Sequence, residues 1–129
     1  MADKKLPKPT DAELEILQLL WEYGPNPVRF INKKLNEKRE IGYTTTLKVL
    51  QIMHEKGLVR RNTDARSHIY EAVLSKVETQ QSLLDNFVDH VFSGSAMGLV
   101  MQALGSNKAS KAELDKIKAL IKKMEGQQD

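Results

Sequence analysis

The densest recognition chemistry in this sequence is Thr44-Thr45-Thr46 followed by Lys48 and Gln51. Helical spacing puts Thr46, Val49, Leu50 and Met53 on a buried stripe. It leaves Thr44, Lys48, Gln51 and Glu55 on the opposite face, flanked by Thr45 and Ile52. Hydroxyls near a helix N-terminus suit anionic oxygens, because free backbone amides and the helix dipole already favour negative charge there. A threonine methyl also suits the thymine methyl, and Lys48 can reach a guanine edge or a phosphate. Taken alone, the threonine run serves equally well as a helix cap. Its neighbours change the balance: Arg60, Arg61 and Arg66 follow, with Ser67 and His68 beside the last. A hydroxyl-rich helix next to a basic hairpin fits a helix entering a major groove with a basic arm alongside.

Other chemistry finds no support. The chain has no cysteine, which excludes disulfides, thiolate metal sites and cysteine nucleophiles. His54, His68 and His90 lack ligand spacing with any carboxylate, so no metal is expected. Ser75 and Ser110 stand three residues before Glu78 and Glu113 and read as capping boxes, not nucleophiles. No glycine-rich phosphate loop and no paired acids are present, so neither a catalytic residue nor a cofactor is expected. Trp21 and Tyr23 read as closing a core, and Met97, Met101 and Met124 as packing residues.

Net charge is +3, unevenly placed. Residues 27–70 carry 10 Lys or Arg against 4 acids, while the segments on either side are net acidic. A localised basic excess suits a phosphate backbone, since each neutralised phosphate releases counterions; a solvated basic face is the plain alternative. The N-terminal residues lack the apolar core of a signal peptide. The uncharged stretch from Val91 to Asn107 is shorter than the roughly 20 apolar residues of a membrane span. The expectation is a cytoplasmic protein without a membrane partner.

These residues need elements to position them. Residues 1–9 read as a mobile tail. Thr10 caps a first helix through Glu13, with Leu14, Leu17, Leu20 and Trp21 on one face and Gly24 as a left-handed stop. Asn26-Pro27 reads as N-cap and first residue of a second helix, lined by Val28, Ile31 and Leu35. The third helix runs from about Thr44 to Lys56 and stops at Gly57. Residues 58–63 and 68–73 read as strands of a hairpin around a turn at 64–67. Three further helices carry apolar stripes: Leu84, Phe87, Val88 and Val91; Val100 and Leu104; and Leu114, Ile117, Leu120 and Ile121. So short a segment cannot bury all these faces alone, and a second copy about a two-fold axis is the economical partner. The fold expected is mainly α: a winged helix-turn-helix over residues 10–74, then a helical dimerisation region over 75–129.

Several blocks resemble the penicillinase-repressor family of winged-helix regulators, the BlaI/MecI/CopY group. They are Ala12-Glu13-Leu14-Glu15-Ile16-Leu17 with Leu20-Trp21, Tyr43 through Gln51, Glu55-Lys56-Gly57-Leu58-Val59, and Arg66-Ser67-His68-Ile69-Tyr70. The resemblance covers residues 10–74 closely and the rest more loosely. It implies a homodimer that binds a palindromic operator in double-stranded DNA and represses nearby genes, often those of antibiotic resistance or copper handling. By position it implies recognition-helix contacts at Thr44, Thr45 and Lys48 and wing contacts at Arg60, Arg61 and Arg66. Many relatives carry arginine where this chain has Ile52. The cysteine pairs of copper-responsive members are absent. The Asn-Phe bond cut in β-lactam-responsive members has its nearest counterpart at Gln102-Ala103, which lacks that chemistry. A regulatory protease therefore stays open as a partner. The competing reading is a winged-helix adaptor that docks its basic segment on an acidic protein without specific DNA binding.

Overall fold

The computed structural model describes residues 8–64, 66–106 and 109–127. Most of the expected tail, and Ala65 in the expected turn, lie outside those residues; Pro9, at the end of the tail, is buried. The elements run α1 (Asp11–Tyr23), β1 (Asn26–Pro27), α2 (Val28–Asn36), α3 (Tyr43–Lys56), β2 (Val59–Asn62), β3 (Ile69–Ala72), α4 (Lys76–Val91), α5 (Ala96–Gly105) and α6 (Lys111–Gly126). The chain packs as two units divided between Leu83 and Leu84, within α4.

In the first unit, α1 begins where expected. The Thr10 hydroxyl accepts from the Glu13 amide at 3.2 Å and the Thr10 amide donates to the Glu13 carboxylate at 2.9 Å, a complete capping box. Its buried face is rotated from the expected one. Glu13, Ile16, Leu17 and Leu20 are buried, while Leu14 and Trp21 are half-buried. The cause is tertiary. The Lys56 ammonium at the end of α3 lies 2.9 Å from the Glu13 carboxylate and draws that acid inward. The Trp21 indole is held at the rim by donating to the Leu74 carbonyl at 2.9 Å.

Gly24 has positive φ (80°) as expected, but its ψ of −169° is not left-handed helical. That region is open essentially to glycine alone. It turns the chain into β1 and not directly into α2, which corrects the capping expectation for Asn26-Pro27. The Asn26 carboxamide donates back to the Tyr23 and Gly24 carbonyls at 3.3 and 3.1 Å, closing the turn. Pro27, extended at φ −77° and ψ 164°, is the N-cap of α2 and makes no side-chain cap bond. Asn26 pairs with Tyr70 and Pro27 with Ile69 in an antiparallel sheet of order β1-β3-β2. Proline is tolerated because β1 is an edge strand.

Gly57 ends α3 at φ 83° and ψ 13°, the left-handed conformation that a Cβ disfavours. The chain then enters the wing, where Arg60 opposes Glu71 and Arg61 opposes Tyr70. The core consists of Ile16, Leu17, Leu20, Val28, Ile31, Leu35, Leu50, Met53, Leu58, Val59, Tyr70 and Leu74. Its one aromatic, Tyr70, comes from the middle of the wing and ties the sheet to the helices. Val49, expected in the buried stripe of α3, is half-buried. Tyr23, expected in the core, is exposed: it meets Phe30 edge-on at 5.4 Å, with the Lys34 ammonium 4.8 Å from its ring centre.

In the second unit, Ser95 caps α5 by accepting from the Gly98 amide at 2.9 Å. Ser110 and Glu113 form the expected capping box at the start of α6. Gly105 is the last residue of α5, and Asn107 and Lys108, between α5 and α6, lie outside the described residues. Leu84, Phe87, Val91, Val100, Leu114, Leu120 and Ile121 are exposed in the single chain, and Leu104 and Ile117 are half-buried. Val88 differs from this set in being buried by its own chain.

Candidate nucleic-acid interface

The orientation of α3 depends on a polar clasp in the turn before it, between Asn36 and Gly42. The Asn32 carboxamide donates to the Ile41 carbonyl at 3.0 Å and to the Thr46 hydroxyl at 2.9 Å. Thr46 is fully buried and its hydroxyl donates to the Gly42 carbonyl at 3.3 Å. Asn36 bonds both sides of Ile41, accepting from its amide at 3.2 Å and donating to its carbonyl at 2.9 Å. α3 has no side-chain cap of its own, so these two asparagines fix where it starts. Of the three threonines, Thr46 belongs to the fold; Thr44 and Thr45 are exposed.

At 3.6 residues per turn, anchoring Thr46, Leu50 and Met53 inward presents Thr44, Lys48, Gln51 and Glu55 outward. Tyr43, Leu47 and Gln51 form an adjacent stripe that faces the wing. There they line a groove of about 430 Å³, completed by Pro27, Val28 and Arg29 from β1 and α2 and by Arg61, Arg66, Ser67 and His68 from the wing. None of these lining residues is acidic. A groove holding three guanidinium groups without a carboxylate favours an anion.

The wing arginines do not all reach the groove beside α3. Successive strand residues point to opposite faces. Arg61 lines the groove against α3, whereas Arg60 lies across from Glu71 with its Nε 3.4 Å from that carboxylate. Arg60 borders a second depression of about 480 Å³, which Arg61 also lines together with Asp64 and Glu71. Arg66 joins Arg61, and Arg60 does not.

Ion pairing sorts the basic segment further. Lys34 pairs with Glu37, Arg39 with Glu15, Lys56 with Glu13 and Arg60 with Glu71. Among the described residues, Arg29, Lys48, Arg61 and Arg66 have no carboxylate within salt-bridge distance. Lys33 and Lys38, in and just after α2, are also without an ion pair among the described residues, but every arginine left unpaired lines the groove. Burial pushes the Glu13 carboxyl up, but the Thr10 amide, the Lys56 ammonium and the Thr10 hydroxyl together outweigh it and hold that carboxyl below its ordinary value. Glu13 thus stays charged and keeps Lys56 in the frame and away from any ligand.

Sequence reasoning passed over Arg29. Its signal was an arginine directly after Val28 at the start of an amphipathic helix, which periodicity marks only as exposed. Its membership of the groove depends on β1 bringing the start of α2 beside β3. Gln102 and Ala103 are exposed within α5, a hydrogen-bonded helix. Among the described residues no group of His, Asp and Glu is placed to hold a metal, and no helix is long and apolar enough to cross a membrane.

Three packed helices, a three-stranded antiparallel wing and a third helix displaying hydroxyls and an unpaired lysine define a winged helix-turn-helix of the DNA-binding class. Residues 9–123 match the family model described as penicillinase repressor, and the chain belongs to that family. It is 20% identical over 118 residues to the penicillinase repressor of Bacillus licheniformis, across 92% of each chain. It is 33% identical over 81 residues to the transcriptional regulator BlaI of Mycobacterium tuberculosis, spanning 62% of this chain and 59% of that one. The solution structure of the DNA binding domain of the repressor BlaI matches with a TM-score of 0.50 and 23% identity, over 57% of this chain and 90% of that one, which speaks for the fold. The family is one of transcriptional repressors and not of enzymes. Membership selects the repressor reading over the adaptor.

Proposed function

We propose that the chain represses transcription as a homodimer on a palindromic operator. Residues 10–74 serve as the DNA-binding domain and 75–129 as the dimerisation region. The observation that carries this reading is the α3 surface: Thr44, Thr45 and Lys48 are exposed on a helix clasped at its N-terminus, and Lys48 has no ion-pair partner among the described residues. Thr44 and Thr45 suit thymine methyls and phosphates, and Lys48 a guanine edge. Arg61 and Arg66 hold the backbone beside the helix. Ile52, exposed on the same helix, adds no charge. The half-exposed apolar side chains of α4, α5 and α6 support pairing: Leu84, Phe87, Val91, Leu120 and Ile121 face solvent in one chain. A two-fold interface buries the same patch from both copies. It also sets the two α3 helices one duplex turn or a multiple apart, about 34–36 Å per turn.

The test is a titration of duplexes carrying inverted repeats from the promoter region of this gene and its neighbours. Thr45→Ala with Lys48→Ala abolishes preference for the protected repeat while nonspecific binding persists. If the double variant footprints like the parent, α3 is not the reading surface. Leu114→Glu with Ile117→Glu gives monomers by light scattering and weak operator binding. An unchanged dimer places the interface elsewhere.

A further inference from the structure

We propose that the groove between the start of α2 and the wing is a seat for one backbone phosphate of the duplex, and that Arg29 is its third guanidinium beside Arg61 and Arg66. The inference rests on the DNA-binding reading above and adds a contact from a different helix.

Three observations converge. First, Arg29, Arg61 and Arg66 line one concavity of about 430 Å³ although they come from α2, β2 and the wing tip. A basic face made only for solvation has no reason to draw three separate elements together. Second, no lining residue is acidic, and among the described residues none of the three arginines has a carboxylate partner. Elsewhere in the same unit Arg39 and Arg60 are both paired. Arginines left unneutralised around a hollow await an anion. Third, the groove shares Gln51 with the outward face of α3. A duplex engaging Thr44 and Lys48 therefore brings its sugar-phosphate edge past the mouth of the groove. Planar guanidinium groups match phosphate oxygens in pairs, and the hollow is open enough to accept an edge that remains part of a polymer. The shared chemistry is a phosphate monoanion; the geometry favours a phosphodiester over free phosphate because the groove continues into the helix face.

The experiment is fluorescence anisotropy of the full chain with a labelled duplex of mixed sequence at several KCl concentrations. The variants are Arg29→Ala, Arg61→Ala, the double variant and Arg60→Ala. Arg29→Ala weakens binding about tenfold and lowers the slope of log K against log salt by about 0.9, one phosphate contact. Arg60→Ala, on the other face of the wing, leaves the slope unchanged. Arg29→Ala with Arg61→Ala loses less than the sum of the singles, because both hold the same phosphate. If the parent binds with a steep salt slope and Arg29→Ala binds identically, the seat is refuted and the DNA reading stands. If the parent shows no salt-dependent binding, the DNA reading itself fails. Additive losses overturn the single shared seat. Displacement of the duplex by inorganic phosphate, beyond that by chloride at equal ionic strength, reassigns the groove to a free anion and overturns the proposal. Arg29 is exposed, and an unchanged circular dichroism spectrum confirms folding; Arg29→Lys restores the salt slope with weaker affinity, which a folding defect does not predict.

Discussion

Replacing Asn32 by Ala removes the side chain that joins α2 to the start of α3. Two hydrogen bonds go, to the Ile41 carbonyl at 3.0 Å and to the Thr46 hydroxyl at 2.9 Å. They are not equivalent. The Ile41 carbonyl keeps a donor in Asn36, at 2.9 Å. The Thr46 hydroxyl is fully buried and loses the donor it has, keeping only its own bond to the Gly42 carbonyl. One acceptor thus keeps a second donor and one buried acceptor is left unmet. At about 1 kcal/mol for a net hydrogen bond, with a further penalty for an unmet buried group, the expected loss is about 1–2 kcal/mol. For a unit of this size that lowers Tm by about 4–8 °C for each kcal/mol. Urea unfolding measures it, with Thr46→Val and the double variant closing a cycle. The Asn32–Thr46 coupling is expected at about 0.5–1.5 kcal/mol. Because the clasp sets where α3 begins, operator preference falls in Asn32→Ala even at temperatures where the protein is fully folded. A stability change below about 0.5 kcal/mol, or a coupling of zero, refutes the clasp as the device that positions α3.

Other perturbations follow from the same contacts. Glu13 has its carboxyl held below the ordinary value of 4.5 in the folded state. Its contribution is fully present above about pH 4.5 and is lost as pH falls through the lowered folded value, so stability measured against pH drops on the acid side and Lys56→Met flattens that drop. Tyr70 is fully buried and its hydroxyl has no partner among the described residues. Tyr70→Phe therefore raises the unfolding free energy by about 1 kcal/mol, and a loss of that size in denaturant titration shows instead that the hydroxyl is bonded. Gly57→Ala meets no neighbouring atom within 4 Å but is held at φ 83°. Its cost is conformational, about 1 kcal/mol, and a neutral result in thermal unfolding refutes that account of where α3 stops. Leu50→Ala opens a cavity at the centre of the first unit and costs about 3 kcal/mol by urea unfolding.

Local chemistry was enough to write most of the secondary structure. Thr10 with Glu13 and Ser110 with Glu113 are complete within four residues, and Gly57 needs only its own backbone freedom, so these boundaries were legible in the chain. The exposed face of α3 was legible for the same reason: once Thr46, Leu50 and Met53 turn inward, the helical period assigns the rest. What tertiary structure alone decided were relations between distant residues. Periodicity reads Glu13 as a cap, and only the fold supplies Lys56, 43 residues away, which turns α1 by drawing the acid inward. A two-residue strand has no period to detect, so β1 emerged only when β3 offered it an edge. That pairing carries Arg29 to the wing. Strand alternation by itself separates Arg60 from Arg61, but which side meets α3 depends on how the hairpin docks through Tyr70. A single chain specifies its helices through neighbours three and four residues apart; it specifies its anion groove only by bringing together side chains that no local rule connects.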